Sequence, residues 1–298
     1  MKRETVGIVG VGIMGGAMAR NLSEAGFPIV AFDVSADALR RIEELGVSAA
    51  GSPAEVGERA RVVITSLPTE TALHAAVGNA KGIAAGRGTP IVVETSTMRL
   101  DIKEQARKLL AESGKTLLDC PVSGTGAQAA RKDLVVFGSG DRAAYESLSD
   151  ILSGFSRLQH YLGEFGNGTK MKFLANVLVN IHNVAAAEVF ALAGKAGMKL
   201  EDVFEVLKDS AGASRMFQVR GPLMVDCDYD NPTARIEMYM KDLDIISQFA
   251  ADLRCPMPLF SVATQLYFAA LNEGRGGQDL AAVCAVVEGL AGIRRERK

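Results

Sequence analysis

Cysteine is scarce and scattered in this chain. Cys120, Cys227, Cys255 and Cys284 are the only four in 298 residues, and no two form a CxxC pair. Their spacing suggests neither a disulfide framework nor a zinc site. Excess charge is also lacking. With a formal net charge of −2, no overall basic field draws the molecule to nucleic acid or anionic lipid. An uncharged run of about 20 apolar residues, enough to span a bilayer, is missing. Residues 173–193 come nearest, but Asn176, Asn180, His182, Asn183 and Glu188 interrupt them. The start, "MKRETVGIVGVGIMG", has basic residues and then glycines, without the apolar core and cleavage site of a signal peptide. His, Asp and Glu fall at no metal-ligand spacing, and the serines lie in no nucleophile-elbow context, which argues against metal-dependent and acyl-transfer chemistry. A cytoplasmic protein with no metal, nucleic-acid or membrane partner is expected.

What is present reads as globular: 48% hydrophobic and 23% charged residues, with no internal repeat or low-complexity linker. A chain this long exceeds one small core, so two domains are expected. We place them at 1–164 and 165–298.

The first of these reads as α/β. "TVGIVG" (5–10) is a β-branched run ending at glycine; "GVGIMGGAMARNLSEAG" follows with helical spacing of Met14, Met18 and Leu22; "PIVAFD" then ends in Asp33. This strand–turn–helix–strand order, with an acid about 20 residues after the glycines, is the context that makes a GxGxxG informative. Gly10 permits a tight turn, Gly12 lets backbone N–H groups approach a pyrophosphate, and Gly15 allows helix and strand to pack closely. Ile13 and Met14, between the second and third glycines, belong to the same cofactor-binding turn. The pyrophosphate would lie at a helix N-terminus.

Further strand-like runs, "RVVITSLP", "TPIVVETST", "KTLLDCPVS" and "DLVVFGSG", alternate with helix patterns at 53–60, 69–80, 100–113 and 141–152. Such alternation predicts a doubly wound, mostly parallel Rossmann-type sheet. Ligands on such sheets bind beyond the carboxyl ends of the strands. That singles out Leu67–Pro68, Ser96–Thr97 and Ser123–Gly126. Asp33 can accept from ribose hydroxyls but repels a 2′-phosphate; Val34 and Ser35 supply no arginine, and Arg40 and Arg41 lie a turn or two away. NAD is favoured over NADP.

From residue 167 no strand pattern survives. A long helix is predicted over about 167–195, and others near 200–210, 214–225, 233–253, 258–272 and 278–294. This is an all-helical substrate and oligomerisation domain, whose first helix is expected to line an interdomain cleft. Small helical domains of this kind often bury apolar faces against another subunit, so a homodimer or homotetramer is expected. The long helix carries a polar stripe. At about 100° per residue, Asn176 and Asn183 fall within about 40° of Lys172, Asn180 within roughly 80°, and Lys170 points about 160° away. Two readings stand: a hydrogen-bonded seam between helices, or a water-poor cleft in which Lys172 transfers a proton. His182 lies about 80° from Lys172, within reach of such a pocket; His74 and His160 read as surface residues.

Together these stretches resemble the β-hydroxyacid dehydrogenase family, which includes 3-hydroxyisobutyrate, tartronate semialdehyde and L-threonate dehydrogenases. "GIVGVGIMGGAMARNL" is similar to its N-terminal signature, "LLDCPVSGTGAQAA" to its substrate loop, "GNGTKMKFLAN" to its G-x-G-x-x-x-K-x-x-x-N, and "KDLDIISQFA" to its later K-D-L segment. The resemblance implies Lys172 as catalytic lysine, Asn176 as substrate-orienting asparagine, and Ser123 and Gly124, with Thr125, as substrate loop. It further implies Lys241 beside the nicotinamide, and Thr97 or Ser96 as a cofactor-contacting hydroxyl. Two departures stand out. Thr125 replaces the second glycine of SGG, leaving the pocket's width and polarity open, and Glu94 replaces an aspartate with little expected effect. A base at Lys172 needs a lowered pKa, which a desolvated cleft and a neighbouring Lys241 cation would favour.

The resemblance implies oxidation of a short hydroxy acid. Asn180, His182 and Asn183 offer more polar capacity than 3-hydroxyisobutyrate needs, and "NIHNVAAAE", "DSAGASRMF" and "GRGGQD" look more like the L-threonate branch. A four-carbon polyhydroxylated acid such as threonate is expected. The alternatives are a semialdehyde reductase (succinic, tartronate or methylmalonate), a 3-hydroxyisobutyrate dehydrogenase, or a non-catalytic NAD-binding protein, against which Lys172 argues. Related imine reductases generally replace that lysine.

Overall fold

In a computed structural model, residues 3–297 are described. The chain divides into two compact units, one ending at Lys172 and the other beginning at Phe173.

The first unit is built on alternating strands and helices: β1 (Val6–Val9), α1 (Ile13–Glu24), β2 (Ile29–Phe32), α2 (Ala36–Glu43), β3 (Ser48–Ala49), α3 (Pro53–Arg59), β4 (Val62–Thr65), α4 (Glu70–Gly78), β5 (Ile91–Glu94), α5 (Leu100–Glu112) and β6 (Thr116–Asp119). Six parallel strands lie in the order β3-β2-β1-β4-β5-β6, which is the Rossmann arrangement with its switch point between β1 and β4. Alternation along each strand feeds both faces. Val6 and Ile8 of β1 and Val62 and Ile64 of β4 pack into one core; Val9 and Val63 pack into the other. With both faces covered, the strands read as continuous apolar runs, and each such side chain contributes roughly 1.5–3 kcal/mol by leaving water. The register pairs Val9 with Phe32 and Thr65, Thr65 with Glu94, and Glu94 with Asp119. The residues that follow, Gly10, Asp33, Ser66, Thr95 and Cys120, therefore leave the sheet along one edge.

Two expectations about strands need correcting. "KTLLDCPVS" does not form one strand: it breaks at Cys120–Pro121 into β6 and a short β7 (Val122–Ser123), since Pro121 has no N–H for a ladder. "DLVVFGSG" contributes no strand to the large sheet. After α6 (Gly126–Ala130), β8 (Val135–Gly138) pairs antiparallel with β7 and parallel with β9 (Leu158–Tyr161), which follows α7 (Arg142–Glu146) and α8 (Ser149–Phe155). These three strands form a separate small sheet.

Helix α9 (Asn167–Lys195) begins in the first unit and continues into the second. The second unit adds α10 (Leu200–Leu207), α11 (Arg215–Asp226), α12 (Ile236–Asp252), α13 (Pro258–Asn272) and α14 (Val283–Leu290). By length and hydropathy alone α9 could cross a membrane. Its asparagines argue otherwise: Asn180 Nδ2 donates to the Phe260 carbonyl and to Thr264 Oγ1, and Asn183 Nδ2 donates to the Tyr267 hydroxyl. These bonds make α9 a core helix, packed against α13. Phe190 stacks on Phe217 at 5.3 Å between ring centroids. Arg220 and Asp279, 2% and 0% exposed, form a buried ion pair at 3.1 Å.

Candidate active site

The glycine turn after β1 is shaped by sterics at two positions and left open at a third. Gly10 adopts φ +90°, a left-handed conformation that favours glycine. A Cβ on Gly15 would collide with the Gly10 carbonyl oxygen, so α1 and the turn can only meet through glycine. Around Gly12 a Cβ would meet nothing within 4 Å. Gly12 is also the N-cap of α1, with no side-chain cap and no acid in the first turn. An uncapped helix start with open space in front of it suits a phosphate group.

Beside it, Asp33 Oδ2 accepts the Val11 N–H at 2.7 Å and Oδ1 accepts the Ser35 N–H at 2.8 Å. The carboxylate is thus fixed at the end of β2, while each oxygen keeps capacity for a ribose hydroxyl. Arg40 pairs with Asp37 on an exposed face, and Arg41 is exposed too. Ile13 is 80% exposed, and a Cβ on Gly126 would lie 2.5 Å from its Cγ2. The 123–126 loop therefore abuts the fingerprint turn. Met14 is half-buried against the core. A dinucleotide fits these residues.

The other loops are cross-braced. Ser96 Oγ accepts the Leu67 N–H at 2.9 Å, and the Ser96 N–H donates to Glu94 Oε1 at 2.9 Å. Ser96 is buried, whereas Thr97 is half-buried and Pro68 exposed. Ser96 holds the Leu67 loop. In the substrate loop, Ser123 and Gly124 (φ +144°) are half-buried. Thr125 is spoken for: it caps α6, its Oγ1 accepting the Gln128 N–H at 3.3 Å and its N–H donating to Gln128 Oε1 at 3.0 Å. Gln128 is itself held by Asp133, at 3.1 Å. The hydroxyl that replaces the second glycine is thus engaged in a capping box.

Lys172 is half-buried in the first turns of α9, the last residue of the first unit; Lys170 is exposed, with Asn167 Oδ1 at 3.2 Å. The start of this helix is anchored by Asp119, whose Oδ2 accepts the Thr169 N–H at 2.8 Å and whose Oδ1 accepts the Thr169 hydroxyl at 2.7 Å. Asp119 is fully buried and so are its partners: Lys103 Nζ lies 2.8 Å from Asp119 Oδ1 and 2.6 Å from Glu94 Oε2. Burial opposes the Lys103 charge, but the Asp119 and Glu94 carboxylates outweigh it and hold its pKa above that of ordinary lysine. Burial likewise pushes the Cys120 thiol up, so it remains unreactive. Sequence reasoning missed this cluster. Its signal was Lys103 on the inward stripe of α5, in line with Ala106 and Leu110.

In the second unit, Asn176 is 5% exposed. Its Nδ2 donates to Asp242 Oδ2 at 2.9 Å, and its carbonyl accepts from the Tyr239 hydroxyl. Lys241 Nζ lies 3.7 Å from Asp242 Oδ1. Asn180 and Asn183 are fully buried against α13. For these two the seam reading is right, and their expected contribution to a polar substrate pocket falls. His182 is half-buried; His74 and His160 are exposed.

Comparison with known proteins agrees with this geometry. Residues 5–163 match the family model described as the NAD-binding domain of 6-phosphogluconate dehydrogenase, and 166–287 that of the NAD-binding region of NADP-dependent 3-hydroxyisobutyrate dehydrogenase. An L-threonate dehydrogenase from Cupriavidus necator is 33% identical over 96% of each chain. Glyoxylate/succinic semialdehyde reductase 1 from Arabidopsis thaliana is 28% identical over 95% of this chain and 98% of its own. The crystal structure of a 3-hydroxyisobutyrate dehydrogenase from Salmonella typhimurium superposes with a TM-score of 0.84 at 30% identity, covering 94% of this chain and 99% of that one. The chain belongs to the 3-hydroxyisobutyrate dehydrogenase family of NAD(P)-dependent β-hydroxyacid dehydrogenases, enzymes that act on CH–OH groups.

Proposed function

We propose that the protein oxidises a short polyhydroxylated acid, four carbons long and L-threonate in type, with Lys172 as the general base. What carries the reading is a dinucleotide cradle and a lysine at position 172 in one compact unit. Bound at the cradle, the nicotinamide cofactor supplies the hydride acceptor. Gly10, Gly12, Ile13, Met14 and Gly15 seat its phosphates, Asp33 its ribose, and Leu67, Pro68, Ser96, Thr97 and Lys241 its other end. Asp33 favours NAD. Ser123 and Gly124 bind the carboxylate, with Thr125 fixing the loop as the cap of α6, and Asn176 orients the substrate hydroxyl. Lys172, in its neutral form, takes the hydroxyl proton as the C–H hydride departs, a role worth about 10²–10⁴-fold in rate.

The threonate reading rests on relatives such as the Cupriavidus enzyme, because the asparagines once counted toward a polar pocket are used elsewhere. Initial rates of NAD reduction with threonate, erythronate, glycerate and 3-hydroxyisobutyrate test it. Threonate should give the greatest kcat/KM, and a clear preference for 3-hydroxyisobutyrate refutes it. The reductase direction, as in the Arabidopsis relative's name, is read from the same panel run with succinic semialdehyde and NADH. We further assign the protein to the cytoplasm as a homo-oligomer. Leu174, Leu178, Val189 and Leu192 of α9 are 38–73% exposed and share one helical face, a stripe that a second copy would cover.

A further inference from the structure

We propose that Lys103 is a positioning residue, joining the loop that holds the cofactor to the helix turn that carries Lys172. The inference rests on Lys172 as the base. Stability alone does not call for a buried triad of this kind. A lysine and two carboxylates, all 0% exposed, are costly to dehydrate, and apolar side chains of similar volume commonly serve a core as well or better. Such a cluster is placed where its directions matter.

Those directions can be followed atom by atom. On one side the Leu67 N–H donates to Ser96 Oγ, the Ser96 N–H donates to Glu94 Oε1, and Glu94 Oε2 meets Lys103 Nζ. On the other side Lys103 Nζ donates to Asp119 Oδ1, and Asp119 takes both the N–H and the hydroxyl of Thr169. Ser139 completes this side: its hydroxyl lies 3.2 Å from Asp119 Oδ2, and its Oγ accepts the Gly168 N–H at 3.0 Å. The first turn of α9 also sits flush on the strand ends, for a Cβ on Gly168 would lie 2.6 Å from the Asp119 carbonyl oxygen. Lys172 follows Thr169 by three residues, about 4.5 Å along the axis. The triad carries a net charge of −1, and it lies against a helix N-terminus, where negative charge is favoured. Glu94 acquires a reason as well. The extra methylene over aspartate lets one oxygen hold Ser96 while the other reaches Lys103.

The test is the paired substitution Lys103→Met with Glu94→Gln. It removes one charge of each sign, keeps an acceptor for Ser96 and leaves Asp119 on the helix end. With the best acid of the panel, kcat should fall about 10- to 100-fold, the scale set by small misplacements of a reacting group. Affinity for NADH, followed by its fluorescence, should change little. A folded variant with wild-type kcat overturns the proposal. Should the pair fail to fold, Thr169→Val serves, since it deletes one hydroxyl contact at constant shape. Its kcat should drop and Thr169→Ser should restore it, and an unchanged kcat in Thr169→Val overturns the proposal equally. Repeating the pair in a Lys172→Ala background separates the two ideas. No further loss supports positioning of Lys172, whereas a full additive loss overturns it and leaves the base assignment standing. Lys172→Ala with near-wild-type kcat overturns the base itself.

Discussion

Gly12 and Gly15 lie three residues apart in one turn, yet the structure assigns them opposite sensitivities to a single methyl group. Gly12 has φ −65°, which alanine adopts without left-handed strain, and its Cβ direction is open. Gly12→Ala should therefore be nearly neutral without cofactor. It gains about 0.4–1 kcal/mol from a less flexible unfolded chain and loses a similar amount because alanine is a poorer N-cap. The new methyl stands where a pyrophosphate must approach the backbone. A 10- to 100-fold weaker NADH affinity is expected, roughly 1.4–2.8 kcal/mol. Gly15→Ala behaves the other way. Its Cβ meets the Gly10 carbonyl oxygen, and backbone cannot swing aside as a side chain can, so overpacking costs about 1–3 kcal/mol. For a unit of this size that lowers Tm by roughly 2–4 °C per kcal/mol. Thermal melts without cofactor and fluorescence titration with NADH separate the two. Wild-type NADH affinity in Gly12→Ala refutes the cradle, and an unchanged Tm in Gly15→Ala refutes the packing argument.

Lys172→Ala should lose about 10²–10⁴-fold in kcat with NADH affinity nearly unchanged; more than about a tenth of wild-type kcat remaining rejects the general-base role. Asp33→Ala should narrow the ratio of kcat/KM with NAD to that with NADP, because the carboxylate that repels a 2′-phosphate is gone; a wild-type enzyme faster with NADP rejects the electrostatic reasoning. Asp279→Asn should cost about 3–5 kcal/mol at pH 7 by leaving Arg220 buried without its counter-charge. Burial raises the Asp279 pKa, but Arg220 and the N–H and hydroxyl donors outweigh it and hold it below the ordinary value, so this stabilisation is complete above the unfolded carboxylate pKa and disappears as pH falls through the folded one. Denaturant melts should show a constant gap between wild type and variant down to about pH 4, narrowing below it; a gap that narrows between pH 7 and 5 contradicts the assignment.

The large sheet was legible because its physics is local. Strands buried on both faces are short runs of valine and isoleucine, and glycine punctuates the turn after β1. Helix α9 was legible for the same reason, since residues 167–195 are largely apolar and carry no proline to break them. The small sheet was not. β9 reads "LQHY", with Leu158 and His160 exposed, and its pairing with β8 is a long-range register that no local pattern encodes. The 1–164 and 165–298 division remains a proposal about domains; the compact units meet at Lys172. The buried triad was hidden for a different reason. Lys103, Glu94 and Asp119 come from three separate elements, and only the parallel register of β5 and β6, Glu94 beside Asp119, sets the two carboxylates side by side.

The asparagine stripe shows where periodicity stops being informative. A helical wheel states which residues share a face, not what that face meets along its length. From Lys172 to Asn183 is 11 residues, about 16 Å of helix. A four-carbon acid spans roughly one turn, about 5 Å, so it cannot occupy the whole stripe. Only side chains a turn apart can serve one such ligand, and amide N–H groups further along need partners from the protein, because an unpaired buried donor costs about 1–3 kcal/mol. Asn180 and Asn183 lie eight and eleven residues beyond Lys172, and the Nδ2 of each donates to α13. Asn176, one turn from Lys172, is near enough to serve the same ligand, and its Nδ2 donates to Asp242 of α12 rather than to α13. The polar face is thus two structures in series. Length along the axis, set against the size of the ligand, separates them.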